Sequence, residues 1–221
     1  MLDKTFVDMK NVGRTYPQGK TTVEALESAT CEVVPGDRIA VVGPSGSGKS
    51  TLLHLMGGLD TPTKGSIIWP ALGGKEDLRP GNVGFVFQTV SLISSLTALE
   101  NVELPLLLSQ VKPLEARTVA FTALENIGLG PIAGKLPEEL SGGQAQRVAV
   151  ARVLASRSKL ILADEPTGQL DHPTAQHLFD ILLASLESSD IALVVATHDS
   201  AIAGRMNTVW HIEHGILEVS K

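Results

Sequence analysis

Arg38-Ile39-Ala40-Val41-Val42-Gly43-Pro44-Ser45-Gly46-Ser47-Gly48-Lys49-Ser50-Thr51-Leu52-Leu53-His54-Leu55-Met56 is the stretch whose reading decides the fold. Its first five residues are a near-continuous apolar run, which suits a central strand buried on both faces. Residues Ser50–Met56 read as a helix that stops at Gly57-Gly58. Between them, Gly43 and Gly48 let the backbone curl without Cβ clashes, so several N–H groups can face a phosphate. The helix adds its positive end. In this setting Lys49 is expected to bridge the β- and γ-phosphates and Ser50 to ligate Mg2+, with Pro44, Ser45, Gly46, Ser47 and Thr51 completing the wall of the nucleotide site.

Strand, glycine loop and helix form the first unit of an α/β core, and the flanking sequence extends it. Phe6–Val12 and Ala29–Val33 alternate apolar with polar residues, as half-exposed strands do. Ile67–Trp69, Gly84–Phe87, Leu160–Ala163 and Ile191–Ala196 supply further strands, and Val209–Ile212 with Ile216–Val219 flank a His214-Gly215 turn. Residues 91–156 change character, with helical patterns over Ala98–Leu108, Leu114–Ile127 and Gly143–Ala155. A last amphipathic helix spaces Ala175, Leu178, Phe179, Leu182, Leu183 and Leu186 at the helical period and belongs to the core. The expectation is one domain over 1–221. Its P-loop NTPase core (RecA-like) comprises 1–89 and 157–221, with a parallel-rich sheet and an N-terminal antiparallel part. A helical subdomain is inserted at 90–156.

Composition narrows the function. The chain has 221 residues, 43% hydrophobic and 19% charged, and a net charge of −6 with basic residues scattered, so no electrostatic footprint for a nucleic-acid backbone is present. Aromatics at 4% leave little for base-stacking platforms. The single cysteine, Cys31, falls in an alternating strand pattern and reads as a small buried hydrophobe, which excludes an internal disulfide. The N-terminus lacks the apolar run of a signal peptide, and apolar stretches such as Leu104–Leu108 fall far short of the ~20 residues that span a bilayer. A membrane role would therefore come through a partner.

Two further segments carry chemistry. Leu160-Ile-Leu-Ala-Asp164-Glu165 ends an apolar strand in two carboxylates. Next to a phosphate loop, Asp164 can reach Mg2+ and Glu165 can polarise or deprotonate the attacking water. Leu140-Ser141-Gly142-Gly143-Gln144 opens a helix that runs through Ala155. Serine is a good N-cap, but two glycines in a first helical turn are poor helix formers. They make sense where an anion must approach the backbone closely. One chain cannot easily aim this second set of donors at its own nucleotide, which points to ATP shared between two copies.

With these motifs in place the chain resembles the nucleotide-binding subunit of an ATP-binding cassette (ABC) transporter over nearly its whole length. The signature Leu140–Gln144, the Walker A loop Gly43–Ser50 and the Walker B run Leu160–Glu165 match in order and separation. The resemblance implies roles for four single residues. Tyr16 matches the aromatic that stacks on adenine. Gln88 matches the Q-loop glutamine that contacts Mg2+ and the water site. Asp171 matches the D-loop aspartate that meets the other subunit, and His198 the switch histidine that reaches the γ-phosphate. The implied catalytic set is Glu165, His198 and Gln88, and the implied metal set Ser50, Gln88 and Asp164.

Gly57-Gly-Leu-Asp-Thr-Pro62, Ala98-Leu-Glu-Asn-Val-Glu-Leu-Pro-Leu106 and Ala163-Asp-Glu-Pro-Thr-Gly168 are similar to the branch that serves lipoprotein release, macrolide and peptide export, and cell-division complexes. Gly65–Gln88 is shorter than is usual there, and Gln169 replaces the asparagine common in that D-loop. The resemblance implies ATP and Mg2+ as cofactors, an ATP-dependent dimer of two ATPase subunits joined by a closed two-fold contact, and an integral membrane permease as partner. It places the protein in the cytoplasm, on the inner face of the membrane, and implies no nucleic-acid partner. Val90, Leu92, Ile93 and Leu96 either line the permease groove or are buried in the helical insert; the sequence leaves both open. A non-transporting regulatory complex, or a soluble ABC ATPase acting on nucleic acid, are the alternative functions.

Overall fold

A computed structural model describes residues 4–168 and 170–219, so the D-loop residue Gln169 lies outside the described residues. In chain order the elements begin with β1 (Val7–Gln18), β2 (Thr21–Val33), β3 (Arg38–Val42), α1 (Lys49–Met56) and β4 (Lys64–Ile68). The middle of the chain holds β5 (Val83–Val86), α2 (Ala98–Leu108), α3 (Pro113–Asn126), α4 (Gly142–Ser156) and β6 (Leu160–Asp164). It closes with α5 (His172–Leu186), β7 (Ala192–Ala196), α6 (Ser200–Ala203), β8 (Thr208–Glu213) and β9 (Ile216–Val219). The chain forms two compact units. One comprises residues up to Leu78, Leu162–Asp164 and those from Asp190 onward; the other comprises Arg79–Ile161 and Glu165–Ser189.

The first unit is built on a sheet in the order β4-β1-β2-β9-β8-β3-β7, with the last three residues of β6 beyond β7. β3 lies between parallel β7 and parallel β8, whereas β1–β2, β1–β4 and β8–β9 are antiparallel. A strand covered on both faces needs apolar residues at every position. All five residues of β7 and the middle three of β3 are accordingly buried. Helix α1 packs Leu52, Leu53, Leu55 and Met56 inward against β1, β2 and β7. The expected P-loop NTPase architecture, parallel-rich with an antiparallel N-terminal part, is the architecture found.

β1 and β2 continue through Gln18 and Thr21, well beyond the alternating segments read from sequence. Thr15–Lys20 are half-buried or exposed, so neither face imposes an apolar period; backbone pairing alone carries the hairpin outward. Trp69 sits just past the end of β4 and donates its indole N–H to the Met56 carbonyl at 2.7 Å. Cys31 is 7% exposed, with its Sγ 3.8 Å from the Met9 sulfur, and burial pushes its pKa up to about 12.

The second unit gathers α2, α3 and α4 around Val102, Leu106, Ala120, Leu124, Val148 and Ala151. Helix α2 spans the residues expected, because Thr97 and Glu100 form a reciprocal cap: the Glu100 amide donates to Thr97 Oγ1, and the Thr97 amide to Glu100 Oε2. The expected helical subdomain, 90–156, falls inside this unit, along with β5 and α5. Leu92 packs against the helical core, whereas Ile93 is 42% exposed. In α5, Ala175, Leu178, Phe179, Leu182 and Leu186 are buried as the period required, and Leu183 is half-buried.

Asn101 holds the segment that follows Gln88. Fully buried on α2, its amide nitrogen donates to the carbonyls of Ile93, Leu96 and Thr97 at 3.1, 2.9 and 3.1 Å, and its oxygen accepts from the Ile93 amide at 2.8 Å. Asn101→Ala strands these groups without supplying partners, a cost of about 1–3 kcal/mol. Thermal unfolding of the variant is expected several degrees below that of the parent, at about 2–4 °C per kcal/mol for a chain of this size.

Candidate nucleotide site

In the first unit, the loop Gly43–Gly48 links the end of β3 to the start of α1. It is wedged tightly. A Cβ on Gly43 would lie 2.1 Å from the Ile212 carbonyl oxygen on β8, and one on Gly48 would lie 2.4 Å from the Ala25 carbonyl oxygen on β2. Gly48 also takes φ 109°, a value side chains disfavour. The Ser47 carbonyl accepts from the Gly215 amide at 3.1 Å, which ties the loop to the β8–β9 turn.

The loop presents donors. Gly48 caps α1 without a side-chain hydrogen bond to the amides of the first turn, and that turn holds no acidic residue. Lys49 is buried to 7% exposure, with Nζ donating to the carbonyls of Gly43 and Pro44 at 2.8 and 2.9 Å. An ammonium has three protons, so one remains for a phosphate oxygen. Ser47 Oγ is buried and has no hydrogen-bond partner among the described residues. Ser45 and Gly46 are exposed, while Ser50 and Thr51 are half-buried.

The register of the sheet brings a histidine to the same edge. Val41 on β3 pairs with Ala196 on parallel β7, so Gly43 and His198 leave adjacent strand ends two residues further on. His198 is exposed there, between Thr197, whose amide donates to the Val41 carbonyl at 3.1 Å, and Asp199, which caps α6. Asp164 ends β6, the neighbour of β7, and is 5% exposed.

Tyr16 stands in the β1–β2 hairpin opposite Val23. Its hydroxyl donates to Asp60 Oδ2 at 2.6 Å, and the Arg14 guanidinium carbon lies 4.5 Å from the ring centroid. Arg14 grips both Asp60 oxygens, through Nε at 2.9 Å and Nη2 at 2.8 Å. Burial pushes the Asp60 carboxyl up, but bonds from Tyr16, the Thr61 amide and Arg14 outweigh it and hold the group below its ordinary range. The sequence reading missed Arg14 and Asp60. They are 46 residues apart, and nothing in either segment alone assigns them to each other.

In the second unit, Ser141 caps the 15-residue helix α4 in a reciprocal box: its Oγ accepts from the Gln144 amide at 3.2 Å, and Gln144 Oε1 accepts from the Ser141 amide at 2.9 Å. Gln144 thus uses its side-chain oxygen on its own helix, and the Ser141 hydroxyl proton stays available to donate outward. Ser141 and Gly142 are exposed and Gly143 half-buried. Asp171 caps α5 by accepting from the Thr174 amide at 2.9 Å, and its bonds to Thr174 hold its carboxyl below the ordinary range. Gln88 is exposed just after β5, next to Phe87, whose ring stacks on Phe85 at 4.4 Å. Glu165 takes φ 44°, in the left-handed region.

A family model described as ABC transporter matches residues 26–168. The chain belongs to the ATP-binding cassette (ABC) transporter family. It is an ABC ATPase, the nucleotide-binding, ATP-hydrolysing subunit of a transporter. The lipoprotein-releasing system ATP-binding protein LolD of Pseudomonas syringae pv. tomato is 45% identical over 98% of this chain and 99% of its own length. LolD of Legionella pneumophila is 46% identical over 92% of this chain and 93% of its own. Among solved structures, the dimeric post-hydrolysis state of the ATP-binding cassette MJ0796 bound to ADP and Pi superposes with a TM-score of 0.88 at 38% identity, covering 97% of this chain and 99% of that one.

Proposed function

We propose that two copies of this ABC ATPase bind head to tail around two ATP molecules and drive an integral membrane permease of a lipoprotein-releasing system. The observation that carries this is the Ser141–Gly143 turn at the start of α4, where Ser141 and Gly142 are exposed, Gly143 is half-buried, and the Ser141 hydroxyl keeps its proton to donate. Each ATP would lie on Gly43–Thr51 and Asp164 of one copy and under Ser141–Gly143 of the other, with Asp171 at the junction of the two. The dimeric ADP-bound cassette among the structural relatives, and the LolD proteins among the sequence relatives, support the pairing and the lipoprotein substrate.

Mg2+ fits the donor set. In the first unit, the Ser50 hydroxyl and the buried Asp164 carboxylate are hard oxygen ligands. Among the described residues no group of three His, Cys, Asp or Glu side chains could hold a metal alone, so phosphate oxygens and water would complete the shell. When bound, the cation neutralises charge on the transferred phosphoryl group. Lys49 and the amides of the loop stabilise the same charge, His198 reaches the γ-phosphate, and Glu165 takes the proton of the attacking water. No helix among the described residues is long and apolar enough to cross a membrane, so attachment to its cytoplasmic face would run through the permease. Ile93, exposed beside the Asn101 clamp, is a candidate contact for it.

A shared site makes turnover depend on association. Specific ATPase activity is expected to fall steeply when the protein is diluted below its dimerisation range, and to recover on concentration. Undiminished activity per molecule in a strictly monomeric sample would overturn the sandwich.

A further inference from the structure

Stacking alone does not need a hydroxyl: a phenylalanine would offer a base the same ring. Here the Tyr16 hydroxyl is committed to Asp60 at 2.6 Å, and one face of the ring is taken by Arg14 at 4.5 Å. Asp60 is itself fixed from several sides. The amides of Leu59 and Asp60 donate to the His54 carbonyl near the end of α1, at 2.8 and 3.3 Å, the Lys75 ammonium donates to the Asp60 carbonyl at 3.2 Å, and the Thr61 amide donates to Asp60 Oδ1 at 2.7 Å. The helix that begins in the phosphate loop therefore carries, just past its other end, the anchor for the aromatic ring. Arg14 and Asp60 neutralise each other through a two-oxygen grip and are similarly shielded, at 22% and 21% side-chain exposure.

We propose that Arg14 and Asp60 are positioning residues for base recognition: they clamp Tyr16 by its hydroxyl and one face, so that its opposite face alone takes the adenine of ATP. The planar guanidinium lies over the electron-rich face of the ring while its edge serves the carboxylate, a geometry that lysine cannot reproduce. The clamp fixes the ring relative to α1, and so fixes the span from the phosphate loop to the base. This rests on the reading of Tyr16 as the base-stacking residue.

The test compares ATP with inorganic tripolyphosphate, which has the phosphates but no base. Tyr16→Phe, Asp60→Ala and Arg14→Lys are each expected to raise KM for ATP about five- to tenfold, a loss of about 1–1.4 kcal/mol, with the loss in KM rather than kcat. Inhibition by tripolyphosphate should stay within twofold of the parent. The double variant Tyr16→Phe/Asp60→Ala should be no worse than the poorer single, because both remove one link. Equal weakening of ATP and tripolyphosphate would mean that Asp60 acts on the phosphate loop through α1, and would overturn the clamp. Tyr16→Ala separates the two levels. If it leaves KM for ATP unchanged, Tyr16 does not stack on the base. If it raises KM while Tyr16→Phe does not, stacking stands and the clamp falls.

Discussion

Glu165→Gln is expected to bind ATP as the parent does, to lose turnover by about two to four orders of magnitude, and to accumulate as an ATP-bound dimer. The substitution is nearly isosteric and keeps an oxygen that can orient water, but an amide cannot accept the proton. The backbone here is itself informative. Glu165 holds φ 44°, and the Gly168 amide closes a turn onto its carbonyl at 3.1 Å. A non-glycine residue in this region costs on the order of 1–3 kcal/mol, and such outliers gather at functional sites where the surroundings enforce them. Glutamine meets the same backbone cost, so the variant should fold with unchanged stability and the defect should be chemical. Single-turnover ATP cleavage together with light scattering checks both halves. Parent-rate turnover would remove Glu165 from the role of base.

Legibility in the sequence followed the range of the interaction. The phosphate loop was readable because strand, glycines and helix are contiguous, and α2 because Thr97 and Glu100 cap it within one turn. The outer β1–β2 hairpin was not, since its polar residues carry no apolar period. The strained Glu165 backbone has no signature in residue type, because glutamate is not a residue chosen for positive φ. The Arg14–Asp60 pair joins residues 46 positions apart, and each alone reads as an ordinary surface charge. Gln144 shows the opposite limit. It stands in the signature, and the same spacing, Ser141 followed three residues later by Gln144, is also that of a capping box, in which its side-chain oxygen takes part. The Ser141 hydroxyl and the amides of Gly142 and Gly143 remain as donors at the helix terminus.

Those donors give the second large effect. Ser141→Arg is expected to leave ATP on the monomer and to abolish ATP-dependent dimers. The substitution removes the N-cap oxygen that accepts from the Gln144 amide, which costs about 0.5–2 kcal/mol. The buried face of α4, with Val148, Ala151 and Ala155 fully or almost fully covered, is untouched, so the helix should survive. Charge by itself would favour dimerisation, since a guanidinium attracts a triphosphate. A block must therefore be steric: a long side chain at an exposed helix terminus, where a twin's nucleotide has to approach the backbone of Gly142 and Gly143. Ser141→Ala removes the hydroxyl without adding bulk; a two-fold dimer carries two such hydroxyls, so if each donates one charge-assisted bond of ~1.4 kcal/mol the loss in dimer affinity is about a hundredfold. Both variants are best measured in the Glu165→Gln background, where hydrolysis does not dissolve the dimer during light scattering. A normal ATP-dependent dimer in Ser141→Arg would mean that the turn does not face the partner's nucleotide.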